Sequence, residues 1–164
     1  MTRIDQLLQH DTWASADGGP DEAPFLIRFR TPIIEPGEAP TYDRRLCVVW
    51  AYAEEGSGAM PDEAESEAMA EFENRLCAAW EQDALAFLSA VVTYDGARQW
   101  VWYVRDVAQC GERLEEMPQE AEPYPIELTT AHDPDWNFLR EETLANVDWS
   151  AQQAEWKAAF DERS

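Results

Sequence analysis

Apolar and polar residues alternate in several short stretches of this chain, and such alternation is typical of β-strands. In FLIRFR, residues 25–30, the odd-numbered apolar residues fall on one face and Arg28 and Arg30 on the other. RRLCVVWAY, residues 44–52, is almost continuously apolar, which suits a strand buried on both faces. We therefore predict strands at both places.

The segments around these strands contain turn-forming residues instead. Residues 11–24 are rich in Gly, Pro, Asp and Ala and predict a loop. Residues 31–43 contain three prolines, which argue against a central strand and indicate a connection. Residues 124–132 follow Pro123 and predict a strand at the edge of the sheet.

A hairpin is predicted over residues 85–106. Asp95-Gly96 lies between two runs rich in β-branched and aromatic residues, and this dipeptide favours the type I′ turn because both positions need positive φ. On one face, the predicted register places Val91 opposite Trp100, Ser89 opposite Trp102 and Thr93 opposite Arg98. On the other face it pairs Leu88 with Tyr103, Ala90 with Val101 and Val92 with Gln99.

Helical spacing of apolar residues marks the remaining elements. Helices are predicted over residues 61–83, 107–118 and 133–144, with a last helix in the tail, residues 147–164. The apolar stripe of the first helix consists of Met69, Phe72, Leu76, Ala79 and Trp80. The stripe of the tail helix consists of Trp149, Trp156 and Phe160.

The predicted order is β-β-α-β-β-α-β-α, which indicates an α+β protein. From the second strand onward it matches the ferredoxin-like βαββαβ plan, with an extra N-terminal strand and a C-terminal helix. We expect two helices to cover one face of the sheet. The predicted organisation is an N-terminal segment that is partly loop, residues 1–24, a ferredoxin-like domain, residues 25–144, and a C-terminal helix packed on it, residues 145–164.

Charge is the outlying property of the composition. The chain has 34 acidic and 12 basic residues, for a formal net charge of −22, and Lys157 is its one lysine. Such a charge repels nucleic-acid phosphates and anionic membranes and attracts basic proteins, polyamines or divalent cations. The acidity could also serve only to keep the protein soluble.

The cysteines indicate a reducing compartment. Cys47, Cys77 and Cys110 form an odd set without a CxxC motif, and the first two lie in apolar runs. The N-terminus has no apolar segment typical of a signal peptide, and no run is long enough to span a membrane. The expected localisation is cytoplasmic.

The chain resembles domain-of-unknown-function family 695 of bacteria. The similarity lies in MPDEAESEAMAEFENRL, AVVTYDGARQWVWYVRD, EPYPIEL and DPDW, taken in order over roughly residues 25–140. It implies a ferredoxin-like fold and no particular reaction. A more distant resemblance, in fold plan and the late D-x-x-W turn, is to the acidic regulator of ribonuclease activity B, which implies inhibition of a ribonuclease. The long acidic tail of that regulator is missing here.

No motif for an enzyme or a cofactor is found. The chain contains no GxSxG elbow and no glycine-rich phosphate loop, so we expect no cofactor and lean against an enzyme. Its histidines are His10, in an N-terminus that we expect to be mobile, and His132. No calcium-binding loop pattern occurs among the many acidic residues, and no dedicated metal site is expected.

Aromatic residues on the hairpin suggest an alternative pocket at the sheet. Trp100 and Trp102, with Arg98 and Arg105, could bind a small molecule there. An RNA-binding platform would need more lysine and arginine around these rings, so core packing is the competing interpretation and nucleic-acid binding is not expected.

The acidic face of the first helix is the preferred candidate site. Glu63, Glu67 and Glu71 recur every four residues and form one stripe, which Arg75 ends by pairing with Glu71. Glu115 and Glu116 on the next helix extend the negative field. The competing interpretation is a solvated face without a partner.

The segment TTAHDPDWNFLREE, residues 129–142, gathers several potential ligands around a proline. Asp133 followed by Pro134 is typical of a helix start, because the carboxylate accepts first-turn N–H groups and proline suits the first helical position. We predict a helix cap here, with Trp136 folded onto the core, rather than a metal or catalytic site.

The sequence thus favours a non-enzymatic interaction protein that binds a basic protein, such as a nuclease or toxin that it regulates. A small-molecule-binding protein or enzyme with a pocket at the sheet is the first alternative. A domain with no dedicated ligand is the second.

Overall fold

The computed structural model describes residues 3–10, 12–19, 24–31, 33–54, 56–117 and 124–145. Its helices are α1 (Arg3–His10), α2 (Glu63–Glu81) and α3 (Val107–Glu116), followed by a π-helical turn at Phe138–Thr143. Its strands are β1 (Trp13–Gly18), β2 (Phe25–Arg30), β3 (Arg44–Ala51), β4 (Ala86–Tyr94), β5 (Ala97–Val104) and β6 (Ile126–His132).

The strands form one six-stranded sheet in the order β1-β2-β4-β5-β3-β6. Every neighbouring pair is antiparallel. With two main helices, α2 and α3, the protein has an α+β fold, which confirms the predicted class. Strand β6 lies at one edge of the sheet, as its position after Pro123 predicted.

The predicted β4–β5 hairpin is confirmed. Asp95 and Gly96 form its turn with φ angles of 49° and 86°, so both have the positive φ that the dipeptide favours. Near the turn the predicted register holds, with Val91 opposite Trp100 and Thr93 opposite Arg98. Ala90–Val101 and Val92–Gln99 are also paired as predicted.

Farther from the turn the predicted register is wrong by one residue. A β-bulge at Ser89 pairs Leu88 with Trp102, and Phe87 with Tyr103. The Ser89 hydroxyl donates to the Val101 carbonyl oxygen over 2.7 Å. A bulge adds one residue to one strand, and here the extra residue brings Leu88 to the same face as Trp102.

Helices α2 and α3 cover one face of the sheet, as predicted. The Asp62 side chain caps α2 by accepting the Glu65 N–H over 2.8 Å. Four of the five predicted stripe residues of α2 are fully buried and Ala79 is half-buried. The buried four are Met69, Phe72, Leu76 and Trp80.

The opposite face of the sheet is covered by α1, the connection after β2 and the π-helical turn. Ile4 and Leu7 of α1, Ile33 and Ile34 of the connection, and Leu139 of the turn are all buried there. Helix α1 is thus packed in this core through Ile4 and Leu7, whereas the sequence led us to expect a mobile N-terminus.

The prediction of a loop over residues 11–24 is wrong for β1. This strand pairs with β2 along its whole length, from Trp13 opposite Arg30 to Gly18 opposite Phe25. Its Ala, Ser, Asp and Gly residues have low β propensity, so the pairing with β2 determines the strand, while local sequence does not.

The helix predicted over residues 133–144 forms only in its second half, as the π-helical turn Phe138–Thr143. The predicted tail helix, residues 147–164, lies outside the described residues.

Candidate functional site

The outer face of α2 carries the predicted acidic stripe. Glu63, Glu67 and Glu71 are exposed, and helical spacing puts them opposite the buried stripe. Glu71 is paired with Arg75, as predicted. The side chains of Glu63 and Glu67 form no hydrogen bond or ion pair with the part of the chain that the structure describes. They are therefore open to an external partner.

The acidic residues of α2 that face the sheet are bonded instead. Glu65 accepts the indole N–H of Trp50 over 2.9 Å, and Glu73 accepts that of Trp100 over 2.8 Å. Glu73 also forms an ion pair with Arg28 of β2. A buried indole N–H needs an acceptor, so these two carboxylates support the core.

A third inward carboxylate ties the end of α2 to the sheet. Glu81 accepts from the Arg30 guanidinium over 3.0 Å and from the Leu88 N–H over 3.0 Å. Arg30 is 5% exposed and lies over the rings of Trp13 and Phe87, each at 4.7 Å from the ring centroid. This ion pair holds α2 against β2 and β4.

The acidic residues of α3 lie apart from the stripe. Glu115 and Glu116 are exposed. An open groove beside α3 is lined by Asp83 and Glu116 as well as by Arg75 and Arg113. The two arginines therefore partly offset the negative charge between α2 and α3.

Arg113 joins the two helices. Its guanidinium donates to both carboxylate oxygens of Asp83, over 2.7 and 2.8 Å, and to the Ala79 carbonyl oxygen over 2.9 Å. The hydrogen bonds from Arg113 lower the pKa of Asp83 to about 2. Asp83 therefore stays ionised at neutral pH.

The residues of the alternative pocket do not converge. Trp100 and Trp102 are fully buried beneath the helices, where Trp100 packs against Phe72 and Trp102 against Trp80. Both indoles therefore belong to the core and neither lines an open cavity.

The two arginines of that set lie at opposite ends of β5, about 20 Å apart along the strand. Arg98 is half-buried and donates to Thr93 over 2.8 Å, and its pKa is lowered by burial and by the charge of Arg28. Arg105 is exposed and lies over the ring of Tyr42. These side chains cannot contact one small ligand together.

The HDPDW segment forms a buried corner. The Asp133 carboxylate is 9% exposed and accepts the Tyr103 hydroxyl over 2.8 Å. It also accepts the N–H groups of Asn137, over 2.9 Å, and Phe138, over 3.0 Å. Burial, followed by the hydrogen bond and charge of Asp133, raises the pKa of Tyr103. The phenol therefore stays protonated at neutral pH.

The capping prediction is right about the carboxylate and wrong about the proline. Asp133 does accept N–H groups at the helical start, but the helical residues begin at Phe138, so Pro134 is not the first of them. Trp136 has a positive φ of 59°, which turns the chain before the helix. Its indole stacks on Tyr103 at 4.1 Å and donates to the Tyr42 carbonyl oxygen, so the predicted burial of Trp136 is confirmed.

Potential metal ligands do not cluster in the ranges that the structure describes. No three His, Cys, Asp or Glu side chains there are placed to hold a metal ion. His132 is exposed, 3.6 Å from an Asp43 carboxylate oxygen. Burial raises the pKa of Cys47, and that of Cys110 to about 12, so neither thiol ionises at neutral pH.

Comparison with known proteins places the chain in a family. The sequence pattern of a family of unknown function, DUF695, matches residues 11–142. The chain belongs to this family. No curated protein and no solved structure matches the chain. The resemblance to domain-of-unknown-function family 695 is thus confirmed, and no named relative supports the one to the ribonuclease regulator. Membership in DUF695 names no reaction, ligand or partner.

Among the helices that the structure describes in this DUF695 member, none is long and apolar enough to cross a membrane.

Sequence reasoning missed that the acidic residues of α2 differ in their bonding. A usable signal was the position of Glu65 and Glu73 at the borders of the apolar stripe. A second was the number of tryptophans, whose indole N–H groups need acceptors when buried.

Proposed function

We propose that this DUF695 protein is a non-enzymatic interaction protein that binds a basic protein through the outer face of α2. The observation that carries the proposal is that Glu63 and Glu67 are exposed and lack partners in the described chain, while Glu65, Glu73 and Glu81 of the same helix are bonded. The carboxylates of Glu63 and Glu67 bond to no described side chain, and the contribution of Glu63 to the fold is its favourable charge in the first turn of α2.

Electrostatics favours a basic partner over a neutral one. Carboxylates four residues apart on a helix repel each other by a few tenths of a kcal/mol. A cationic partner would relieve this repulsion, and the net charge of −22 would accelerate its approach. Glu115 and Glu116 would add to the attraction at longer range.

The partner class is a basic protein, of which a nuclease or a toxin is an example. The surfaces of such proteins carry lysine and arginine side chains that bind nucleic-acid phosphates. The same side chains would bind the carboxylates of Glu63 and Glu67. The protein would regulate such a partner by occupying that surface.

We also propose that β3, α2, β4, β5, α3 and β6 form a ferredoxin-like unit. In the split βαβ arrangement, the two strands joined by a helix have another strand between them. The sheet order supports this, because β5 lies between β3 and β4, and β3 lies between β5 and β6.

The test compares two variants with the same change in charge. Glu63→Gln/Glu67→Gln neutralises the stripe, and Asp17→Asn/Glu54→Gln neutralises two exposed carboxylates on β1 and the loop after β3. A partner captured from the source organism is identified and purified, and its Kd is measured from 50 to 300 mM salt.

We expect the stripe variant to weaken binding about tenfold at 50 mM salt, which corresponds to about 1.4 kcal/mol. The control should change Kd less than threefold, and wild-type affinity should fall as salt rises. Equal effects of the two variants, or an affinity independent of salt, would refute the proposal.

A further inference from the structure

One side of strand β6 has no partner strand among the described residues. The strand pairs with β3 along its whole length, from Ile126 opposite Trp50 to His132 opposite Arg44, and the register contains no bulge. On its other side no residue of the described chain is paired with it. Four consecutive residues, 127–130, are exposed. Within the described ranges, this strand is therefore open at its edge as well as over much of its surface.

The backbone groups that point outward can be assigned. The Asp133 N–H donates to the Asp43 carbonyl oxygen over 2.8 Å, which continues the β3–β6 ladder by one rung. Bonded and non-bonded pairs alternate in an antiparallel ladder, so the odd-numbered residues of β6 bond to β3. Leu128, Thr130 and His132 therefore direct their N–H and C=O groups away from the sheet.

Several of the usual obstacles to edge pairing are missing from β6, and Glu127 is its one acidic side chain. Natural edge strands are blocked by proline, lysine, bulges or a short length. The strand IELTTAH has none of the first three and is seven residues long. Leu128, in its middle, is 43% exposed. This edge can therefore accept a further strand.

Acidic side chains flank this edge. Glu127 lies on the strand and is exposed. Glu141 and Glu142 of the π-helical turn are also exposed, and they line one open depression of about 380 Å³ at the end of β6. Arg45, which stacks on Phe138, also lines this depression, so two carboxylates face one guanidinium there. None of the three carboxylates is bonded to another described residue. A strand added here would meet negative charge on the face that carries Glu127.

We propose that an extended segment of a basic partner adds to the free edge of β6 as a seventh strand, with lysine or arginine at alternate positions facing Glu127, Glu141 and Glu142. The period of two follows from the alternation of side chains along a strand. A second copy of this chain would bring the same carboxylates and the same net charge of −22 to the contact. The proposal rests on the proposed function only for the basic character of the partner.

The first test measures backbone hydrogen exchange of the whole chain by NMR. It compares the free protein with the protein bound to a capped octapeptide of alternating lysine and threonine. In the free protein we expect fast exchange at Leu128, Thr130 and His132 and slow exchange at Thr129 and Ala131. The peptide should slow the first three at least tenfold. Protection of those amides in the free protein, by the chain itself or by a second copy, would overturn the inference, as would no slowing with peptide.

The second test uses a matched pair at one position. Thr130→Pro removes an outward N–H without removing a bond to β3, and Thr130→Val keeps that N–H. We expect the Kd for the peptide to rise at least tenfold in the proline variant and less than threefold in the valine variant. Equal affinities would refute edge pairing.

Two further measurements keep the test decisive. If Thr130→Pro does not fold, the wild-type protein is titrated with the same peptide N-methylated at every residue. Such a peptide has no backbone donor on either edge, so unchanged affinity would refute the inference. If Glu63→Gln/Glu67→Gln weakens the natural partner and Thr130→Pro does not, the proposed function stands and the edge inference fails. The opposite result would place binding at β6 rather than on α2.

Discussion

Replacing Asp133 with alanine should destabilise the protein more than the loss of an ordinary helix cap. The carboxylate is 9% exposed and accepts three hydrogen bonds, from Tyr103, Asn137 and Phe138. The two backbone bonds are equivalent to a cap, worth about 1 kcal/mol. The buried Tyr103 hydroxyl would lose a charged acceptor, which costs roughly 2 kcal/mol more. We expect a total loss of about 3 kcal/mol.

The assay is urea unfolding followed by tryptophan fluorescence, with free energies from linear extrapolation. Asp106→Ala is the matched control, because Asp106 caps α3 through one exposed bond to the Gln109 N–H and should cost about 1 kcal/mol. In a double-mutant cycle, Asp133→Ala and Tyr103→Phe should be non-additive by more than about 1 kcal/mol. Equal losses for Asp133→Ala and Asp106→Ala would show that the buried bond adds nothing.

Two further predictions concern the hairpin turn and alkaline pH. Gly96→Ala should lower the free energy of unfolding by at least about 2 kcal/mol, because the new Cβ would lie 2.8 Å from the Glu54 carbonyl oxygen at a φ of +86°. Gly37→Ala is the control, because Gly37 has a similar φ of +83° but no atom within 4 Å of the new Cβ. It should lower the free energy of unfolding by about 1 kcal/mol. Chemical unfolding of both variants measures the difference, and equal losses would contradict the clash. Because the pKa of Tyr103 is raised in the folded protein, its contribution to stability is complete below the unfolded value of about 10 and falls as pH rises above it. Between pH 10 and 11 the wild type should lose up to about 1.4 kcal/mol more than Tyr103→Phe, and parallel losses would argue against the raised pKa.

The elements that could be predicted are those whose local pattern and tertiary contacts agree. The apolar stripe of α2 faces the sheet because its spacing is helical over 19 residues. The β4–β5 turn follows from Asp95-Gly96, because few other dipeptides adopt two positive φ angles. At these places the local sequence and the final fold favour the same structure.

The elements that could not be predicted depend on distant residues. Strand β1 has a weak pattern and is held by β2. The register set by the turn would put Leu88 and Trp102 on opposite faces of the sheet. The bulge at Ser89 shifts the register by one residue, so that Leu88 is buried beside Trp102. The positive φ of Trp136 is unfavourable locally and is offset by its stack on Tyr103, 33 positions earlier in the chain. No window of sequence contains both partners of such a contact.

For the candidate site, the spacing of Glu63 and Glu67 predicted an exposed acidic stripe. The number of acidic residues did not reveal which of them the fold uses. That distinction required Trp50 and Trp100, which lie on separate strands and provide the donors for Glu65 and Glu73.

The use of the arginines explains why the outer surface remains so acidic. Four of them form ion pairs with carboxylates of the same chain, namely Arg28, Arg30, Arg75 and Arg113. Arg45 stacks on the Phe138 ring, and Arg140 donates to the Ile34 carbonyl oxygen. Because these cations join elements of the fold, they leave Glu63 and Glu67 without an internal counter-charge. Neutralising those two residues breaks no bond to a described side chain, but it also removes an acidic residue, Glu63, from the first turn of α2, where its charge stabilises the helix. A loss of partner binding is therefore assigned to the contact when the variant and the wild type have equal free energies of unfolding.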